Sequence, residues 1–244
     1  MRFALLIALA PALLVAERKP VLVELFTSEG CSSCPPADRL LQDLERRQPV
    51  PSAQVIALSE HVDYWNSLGW RDPFSSRQCS LRQEQYARAF HLESNYTPQM
   101  VVDGRTELVG GNGGKAVDAI ARATQQPKAD VSLKWHAGKL AIHVAHVPAG
   151  DNWKVLLAVA ESGLRSSVTA GENSGRTLEH TSVVRSLREA GSVRHGEFQA
   201  DIEVVRAKEW NADNLTAVAF VQDARTRAIA GVGFVKMAEG TTAK

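Results

Sequence analysis

Two cysteines separated by two residues, Cys31 and Cys34, are the side chains in this sequence best suited to covalent chemistry. They follow an apolar run of strand length, Val21 to Phe26, and they precede a helical pattern of leucines. A thiolate is favoured at the start of a helix, because backbone N–H groups and the positive end of the helix dipole lie there. A thiolate attacks disulfides. The spacing therefore predicts a redox-active Cys-x-x-Cys pair.

The same pair is also compatible with a metal site or an inert structural disulfide. Zinc needs four ligands and usually a second nearby pair of Cys or His, whereas the other cysteine of the chain is the lone Cys79. A soft metal such as copper could use Cys31 and Cys34 together with His61, which follows the second predicted strand. Redox exchange is the leading hypothesis, metal binding without turnover is the alternative, and no cofactor is predicted.

Composition limits the classes of function. The 244 residues suffice for two domains, and a hydrophobic fraction of 44% supports packed cores. A formal net charge of +1 gives no extended electrostatic field, and no basic run or basic–aromatic stripe is present. We therefore expect no nucleic-acid partner.

Residues 1–16 are typical of a secretory signal peptide. Arg2 supplies the positive start, a short apolar segment follows, and Ala16 is the expected last residue before cleavage. The segment is shorter than the ~20 apolar residues of a spanning helix, which argues against an uncleaved membrane anchor. No later stretch could span a bilayer, so we expect no stable membrane insertion after its removal. Export predicts an oxidised cysteine pair and an exported protein thiol or disulfide as partner. Cys79 is expected to be a bystander on a helix.

The chain up to residue 126 alternates between strands and helices. Thr97-Pro98 stands directly before the third strand, and Asp103-Gly104 is a hairpin-turn signal. The predicted order is β-α-β-α-β-β-α. Its strands are expected near 21–26, 54–59, 99–102 and 107–109, and its helices near 38–47, 80–91 and 115–124.

The composition changes after residue 126. Alternating apolar residues form a predicted hairpin at 131–144, and short strands follow without a clear helix. This pattern predicts a separate antiparallel β-sandwich over residues 129–236. Its further strands are expected at 154–160, 179–184, 197–204, 215–221 and 229–235, and its core at Val131, Leu133, Leu156, Val218 and Phe220.

Several long segments together resemble a secreted bacterial family known as domain of unknown function 1223. They carry the sequences VELFTSEGCSSCPPAD at 23–38, HVDYW at 61–65, YTPQMVVDG at 96–104 and GENSGR at 171–176. The first part of the chain, residues 20–126, also resembles the thioredoxin fold. The resemblance implies a periplasmic or secreted protein whose reaction the family name does not assign.

The thioredoxin resemblance also implies roles for single residues. Cys31 would be the attacking sulfur and Cys34 the resolving one, with Thr97-Pro98 as a cis peptide bond beside them. The chain departs from thioredoxin at Gly30, where an aromatic residue is usual, and at Pro35-Pro36, which places the helix start near Pro35.

Each of the neighbouring residues has two interpretations, one functional and one purely structural. His61 or Asp63 could relay protons, whereas Tyr64 and Trp65 are expected to pack. If the Glu29 carboxylate lies close to Cys31, its negative charge would raise the pKa of the Cys31 thiol. The alternative is that Glu29 is a solvated loop carboxylate. The polar segment Glu172, Asn173 and Arg176 is expected to form a turn or an interdomain contact.

Overall fold

The computed structural model describes residues 17–150 and 152–237. The predicted signal peptide, residues 1–16, lies outside this part of the chain. The first half has the predicted order of strands and helices. Its elements are β1 (Lys19–Thr27), α1 (Cys34–Arg47), β2 (Ala53–His61), α2 (Arg77–Ala89), β3 (Gln99–Val102), β4 (Thr106–Val109) and α3 (Gly113–Ala123).

The second half is built of antiparallel strands and one 3-10 turn, Ala212–Asn214. The strand predicted at 179–184 is wrong, because Ser182 adopts a positive φ of 49° that separates two strands there. The strand at 164–167 was not predicted. The strands are β5 (Asp130–His136), β6 (Lys139–Ala145), β7 (Trp153–Glu161), β8 (Leu164–Ser167), β9 (Thr177–His180), β10 (Val183–Ser192), β11 (Phe198–Ile202), β12 (Leu215–Asp223) and β13 (Ile229–Lys236).

Strands of both halves join one eight-stranded mixed sheet in the order β13-β12-β7-β10-β2-β1-β3-β4. β1 and β2 are parallel, and β3 runs antiparallel to β1. The halves meet where Val183 of β10 pairs with Ser59 of β2. A three-stranded sheet, β11-β6-β5, and the β8-β9 hairpin complete the architecture. The fold is therefore mixed α/β with a large mixed sheet and smaller antiparallel sheets.

Hydrophobic packing follows this arrangement. Helices α1 and α3 cover one face of the first-half strands, where Leu41 and Ile120 pack with Val23. A second core lies within the second half around Leu140 and Val155. A third joins the halves, and in it the predicted core residues Leu156, Val218 and Phe220 pack with Leu22 and Ile56 of the first half. The large sheet and the third core both contain residues from each side of the predicted domain boundary at 126–129. The division into two domains stays a prediction.

The predicted Asp103-Gly104 turn forms the β3–β4 hairpin and also holds the two halves together. Gly104 has a φ of +61°, and a Cβ there would lie 1.9 Å from the backbone oxygen of Arg227, so only glycine fits. The Asp103 carboxylate accepts from the backbone N–H of Leu22 at 2.9 Å and pairs with Lys128. Its backbone oxygen accepts from Ile229 at 2.8 Å.

Across residues 17–150 and 152–237, no helix has the length and apolar character needed to cross a membrane.

Candidate functional site

A disulfide joins Cys31 and Cys34 between the end of β1 and the first turn of α1, with the two Cα atoms 5.4 Å apart. Helix α1 begins at Cys34, and the two prolines that follow occupy its first positions, where a missing N–H costs nothing. The helix thus begins one residue before the expected Pro35. The Cys-x-x-Cys spacing and the bond between the sulfurs are compatible with redox chemistry.

Both cysteines are buried, including Cys31, the sulfur that the thioredoxin resemblance assigns to attack. Cys31 is 1% exposed and Cys34 is fully covered. The loop between β8 and β9, residues 168–176, which we term the cap loop, contacts the backbone around Cys31. It belongs to the second half of the chain, so its approach to Cys31 depends on the tertiary fold.

Asn173 anchors the cap loop to residues 28–33 between β1 and α1, which we term the cysteine loop. Its fully buried amide donates to the backbone oxygens of Glu29 at 2.8 Å and Cys31 at 2.9 Å. Arg176 donates to the Asn173 side-chain oxygen at 3.1 Å. Glu172, which is exposed, accepts from the Ser32 N–H at 2.9 Å. The polar segment therefore is the contact between the halves that the sequence favoured.

The Thr97-Pro98 bond is cis, as the resemblance implied, and Pro98 is buried directly before β3. The indole N–H of Trp65 donates to the Thr97 hydroxyl at 2.9 Å. Trp65 also explains the glycine before the first cysteine, because a Cβ on Gly30 would lie 3.2 Å from the Trp65 Cβ. Trp65 thus connects Thr97 to the cysteine loop by packing and one hydrogen bond.

Two buried carboxylate–imidazole pairs lie behind the cysteine loop. His61 Nδ1 lies 2.7 Å from the Asp72 carboxylate, and His180 Nε2 lies 2.9 Å from the Glu29 carboxylate. The imidazole rings contact each other edge to face, with centroids 4.7 Å apart. Glu29 is fully buried, and its carboxylate also accepts hydrogen bonds from Trp70 and Ser166. It is therefore not a solvated loop carboxylate.

Each imidazole keeps one ring nitrogen without a hydrogen-bond partner in the described part of the chain. These atoms, His61 Nε2 and His180 Nδ1, are both buried. Burial opposes the charged form of His61, but the Asp72 carboxylate outweighs it and raises the pKa of His61 above its ordinary 6.5. Burial alone would raise the pKa of Asp72, but the charge and hydrogen bond of His61 hold the Asp72 pKa below its ordinary value.

Asp38 is a third buried carboxyl group close to these two pairs. It lies one helical turn after Cys34 on the same buried face of α1 and accepts from the Thr27 hydroxyl at 2.8 Å. Burial raises the pKa of Asp38, and the charges of His180 and His61 act in the opposite direction. The sequence analysis singled out His61 and Glu29 here but not Asp38, Asp72 or His180. Only the spacing of Asp38 from Cys34 was a signal that the sequence offered.

Metal binding gains no support from this geometry. Within residues 17–150 and 152–237, no group of three or more His, Cys, Asp and Glu side chains is arranged to hold a metal ion. In the alternative set of Cys31, Cys34 and His61, both sulfurs are used by the disulfide. Cys79 is free and buried in α2, and burial raises the pKa of its thiol well above the ordinary value.

A sequence profile of the family described as "Protein of unknown function (DUF1223)" matches residues 22–222, which is most of the chain. The chain belongs to this family. The matched range includes the cysteine loop, Thr97-Pro98 and the cap loop.

Two solved structures were also compared with this chain. The crystal structure of a structural-genomics target protein from Agrobacterium tumefaciens matches with a TM-score of 0.73 and 29% identity, over 93% of this chain and 97% of that one. A domain of the outer membrane lipoprotein Omp28 from Porphyromonas gingivalis has a TM-score of 0.26 and 16% identity, over 46% of this chain and 88% of that domain. No protein with a curated description matches significantly.

Proposed function

We propose that this member of the DUF1223 family is a thioredoxin-like thiol–disulfide oxidoreductase of the periplasm or the extracellular space. The observation that carries the proposal is the Cys31–Cys34 disulfide at a strand-to-helix junction. The cis Thr97-Pro98 bond before β3 and the β-α-β-α-β-β-α order support it. The partner is an exported protein that carries a dithiol or a disulfide.

In this proposal Cys31 forms the mixed disulfide and Cys34 resolves it. A partner thiolate attacks the Cys31 sulfur, the Cys31–Cys34 bond breaks, and Cys34 leaves as a thiolate. The second partner thiol then attacks the mixed disulfide, so the partner leaves oxidised and the protein reduced. The reverse sequence reduces a partner disulfide. Cys31 takes the first role because it lies in the loop before α1, whereas Cys34 is the first residue of that helix.

Opening of the cap loop must precede either reaction, since Cys31 is 1% exposed with the loop in place. Three hydrogen bonds join the cap loop to the residues around Cys31, two donated by the Asn173 amide and one accepted by the Glu172 carboxylate. Arg176 donates to the Asn173 side-chain oxygen within the loop. A partner peptide that approaches Cys31 would replace them with its own polar groups. The cap loop thereby selects partners that can compete for the backbone of the cysteine loop.

Adduct capture tests the proposal. Cys34→Ala lacks the resolving sulfur, so it should accumulate mixed disulfides at Cys31 with exported proteins of its own host, located by mass spectrometry of the linked peptide. Cys31→Ala is the matched control and should give no adduct. Absence of adducts from Cys34→Ala, combined with tight binding of one equivalent of copper(I) or zinc by the reduced wild type, would replace the proposal with metal binding.

A further inference from the structure

A cleft at the C-terminal end of α2 is lined by arginines. It lies between the last turn of α2 and the turn that joins β12 to β13, and its volume is about 320 Å³. Its lining residues, none of which is acidic, are Gln85, Arg88, Ala89, Ala224, Arg225 and Arg227. The other end of α2 lies beside His61, whose backbone oxygen accepts from the Ser76 N–H at 3.0 Å. Because a helix of 13 residues is about 20 Å long, the cleft is distinct from the site of the cysteines.

The three arginines of the cleft form no ion pair with a carboxylate in the described part of the chain. Other arginines do, namely Arg46, Arg47, Arg77, Arg82, Arg165 and Arg185. Asp223 is the acidic residue nearest to Arg225 and Arg227 in sequence, but its Oδ1 accepts hydrogen bonds inside its own turn. The donors are the N–H groups of Arg225 at 3.0 Å and Thr226 at 2.6 Å. The three guanidinium groups therefore share the cleft without a carboxylate partner, and their like charges repel.

Arg227 is half-buried, unlike the other two arginines of the cleft. Its Nε–H is buried and has no hydrogen-bond partner within residues 17–150 and 152–237. Burial and the neighbouring charge of Arg82 both lower the pKa of Arg227. The carboxylates on that side, Glu24 and Glu60, are already bound to Arg82. A buried donor without a partner and a cation without a counter-ion both cost free energy, and an anion in the cleft would reduce both costs.

The fold fixes the backbone of Arg227 at this cleft. Its φ of 64° lies in the left-handed region, which side chains rarely adopt. The Arg227 N–H donates to the backbone oxygen of Asp223 at 3.0 Å, and its own backbone oxygen accepts from the Gln222 amide at 2.7 Å. Gly104 leaves the space that this oxygen occupies. A position formed before the ligand arrives lowers the entropic cost of binding.

Arg88 is not needed to complete the end of α2. A cation is favoured at a helix C-terminus, where backbone carbonyl groups lack partners. In α2 these carbonyl groups already accept hydrogen bonds from the chain that follows. The Phe90 N–H donates to the Tyr86 oxygen and the Leu92 N–H to the Ala87 oxygen, both at 2.9 Å. The Arg88 side chain therefore remains available to a ligand.

We propose that Arg88, Arg225 and Arg227 bind a phosphate monoester. The planar guanidinium fork matches the oxygens of a phosphate group. A phosphate monoester presents three terminal oxygens and about two negative charges at pH 7, so it can engage three arginines, whereas a carboxylate has two oxygens and one charge. The volume of the cleft falls within the range of small-molecule sites, which leaves room for the organic part of the ligand. This inference is independent of the proposed redox function.

Calorimetric titration of the whole protein with inorganic phosphate at low ionic strength tests the inference. The wild type should bind one equivalent with a Kd of about 1 mM or lower, which corresponds to a factor of about ten for each of three arginine contacts. Arg88→Gln and Arg225→Gln should each weaken binding at least about tenfold. Both side chains are exposed, so circular dichroism should be unchanged. Arg77→Gln removes a charge from the same helix outside the cleft, and this control should bind phosphate like the wild type.

Vesicles of phosphatidylcholine with and without phosphatidic acid distinguish the two sources of a phosphate monoester. If the wild type sediments with the phosphatidic acid vesicles and Arg225→Gln does not, the ligand is a lipid headgroup, and otherwise it is a soluble molecule. Absence of saturable phosphate binding by the wild type would overturn the inference. Equal phosphate affinities in the wild type, Arg88→Gln and Arg225→Gln would also overturn it, as would an equal loss in Arg77→Gln, because binding would then reflect diffuse positive charge. Adduct capture at the cysteines remains a separate test.

Discussion

Replacing Asn173 with alanine should open the cap loop without touching a cysteine. The Asn173 amide bonds the backbone oxygens of Glu29 and Cys31, and it is fully buried. Alanine retains the backbone and Cβ but leaves these two oxygens without their donor. The closed loop therefore loses stability relative to the open loop, in which water binds both oxygens.

The magnitude follows from the two bonds lost between Asn173 and the residues around Cys31, because the third, from Arg176, lies within the cap loop. A typical hydrogen bond contributes about 0.5–1.5 kcal/mol net, so the closed loop loses about 1–3 kcal/mol. Because about 1.4 kcal/mol corresponds to a factor of ten, the open fraction rises about 5- to 150-fold. If the loop closes faster than the reagent reacts, the observed rate rises by the same factor.

The assay is the rate at which a small dithiol reduces the Cys31–Cys34 bond at fixed pH. Ser174→Ala is the control within the same loop, because Ser174 is exposed and its hydroxyl donates to the Thr169 oxygen, at 3.2 Å, within the loop. It should stay within about twofold of the wild type. An unchanged rate in Asn173→Ala would show that the cap loop does not limit access, and the partner-selection argument would fall with it.

Further predictions concern stability and the third cysteine. Arg82 is buried and binds Glu24 and Glu60, so Arg82→Met should lower the free energy of unfolding in urea by about 3–5 kcal/mol. Arg77, in an exposed pair with Glu84, is the control, and Arg77→Met should cost at most about 1 kcal/mol. Equal losses in the two variants would contradict this prediction. Because the pKa of His61 is raised on folding, its contribution to stability is full below pH 6.5 and disappears as the pH rises through the folded-state pKa. The stability difference between wild type and His61→Gln should therefore shrink at alkaline pH, and a constant difference would argue against it. Cys79→Ser should leave adduct capture unchanged, and an adduct mapped to Cys79 would refute its role as a bystander.

Local signals predicted the first half of the fold well. The apolar runs, the leucines of α1, the Asp103-Gly104 turn and the X-Pro pair before β3 each act over a few residues, and the structure contains all of these features. The start of α1 was predicted to within one residue, because proline is tolerated only in the first turn of a helix.

Contacts distant in sequence were beyond this kind of prediction. The pairing of Val183 with Ser59 joins the halves, yet neither local pattern specifies a partner strand. Asn173 lies 142 residues from Cys31 along the chain. The sequence therefore indicated that its loop is polar but could not predict its hydrogen bond to the Cys31 backbone oxygen. His180 was predicted within a single strand at 179–184, whereas it ends β9, and its partner Glu29 lies 151 residues away.

The buried charges of the sheet were hidden for a related reason. Glu24 and Glu60 lie at strand positions that the alternating pattern assigns to one face, where a carboxylate normally indicates solvent. Arg82 of α2 covers that face and pairs with both, and burial raises the pKa of Glu60 well above its usual range. A strand position is exposed or buried according to the element that packs on it, which the strand itself does not encode.

The reduction potential of the Cys31–Cys34 pair tests the central claim most directly. The protein is equilibrated with glutathione buffers of graded potential, quenched with an alkylating reagent, and scored by mass for reduced and oxidised forms. An exchange function predicts a potential between about −120 and −270 mV, the range of known thiol–disulfide oxidoreductases. A value below about −300 mV would identify a structural disulfide and contradict the proposed function.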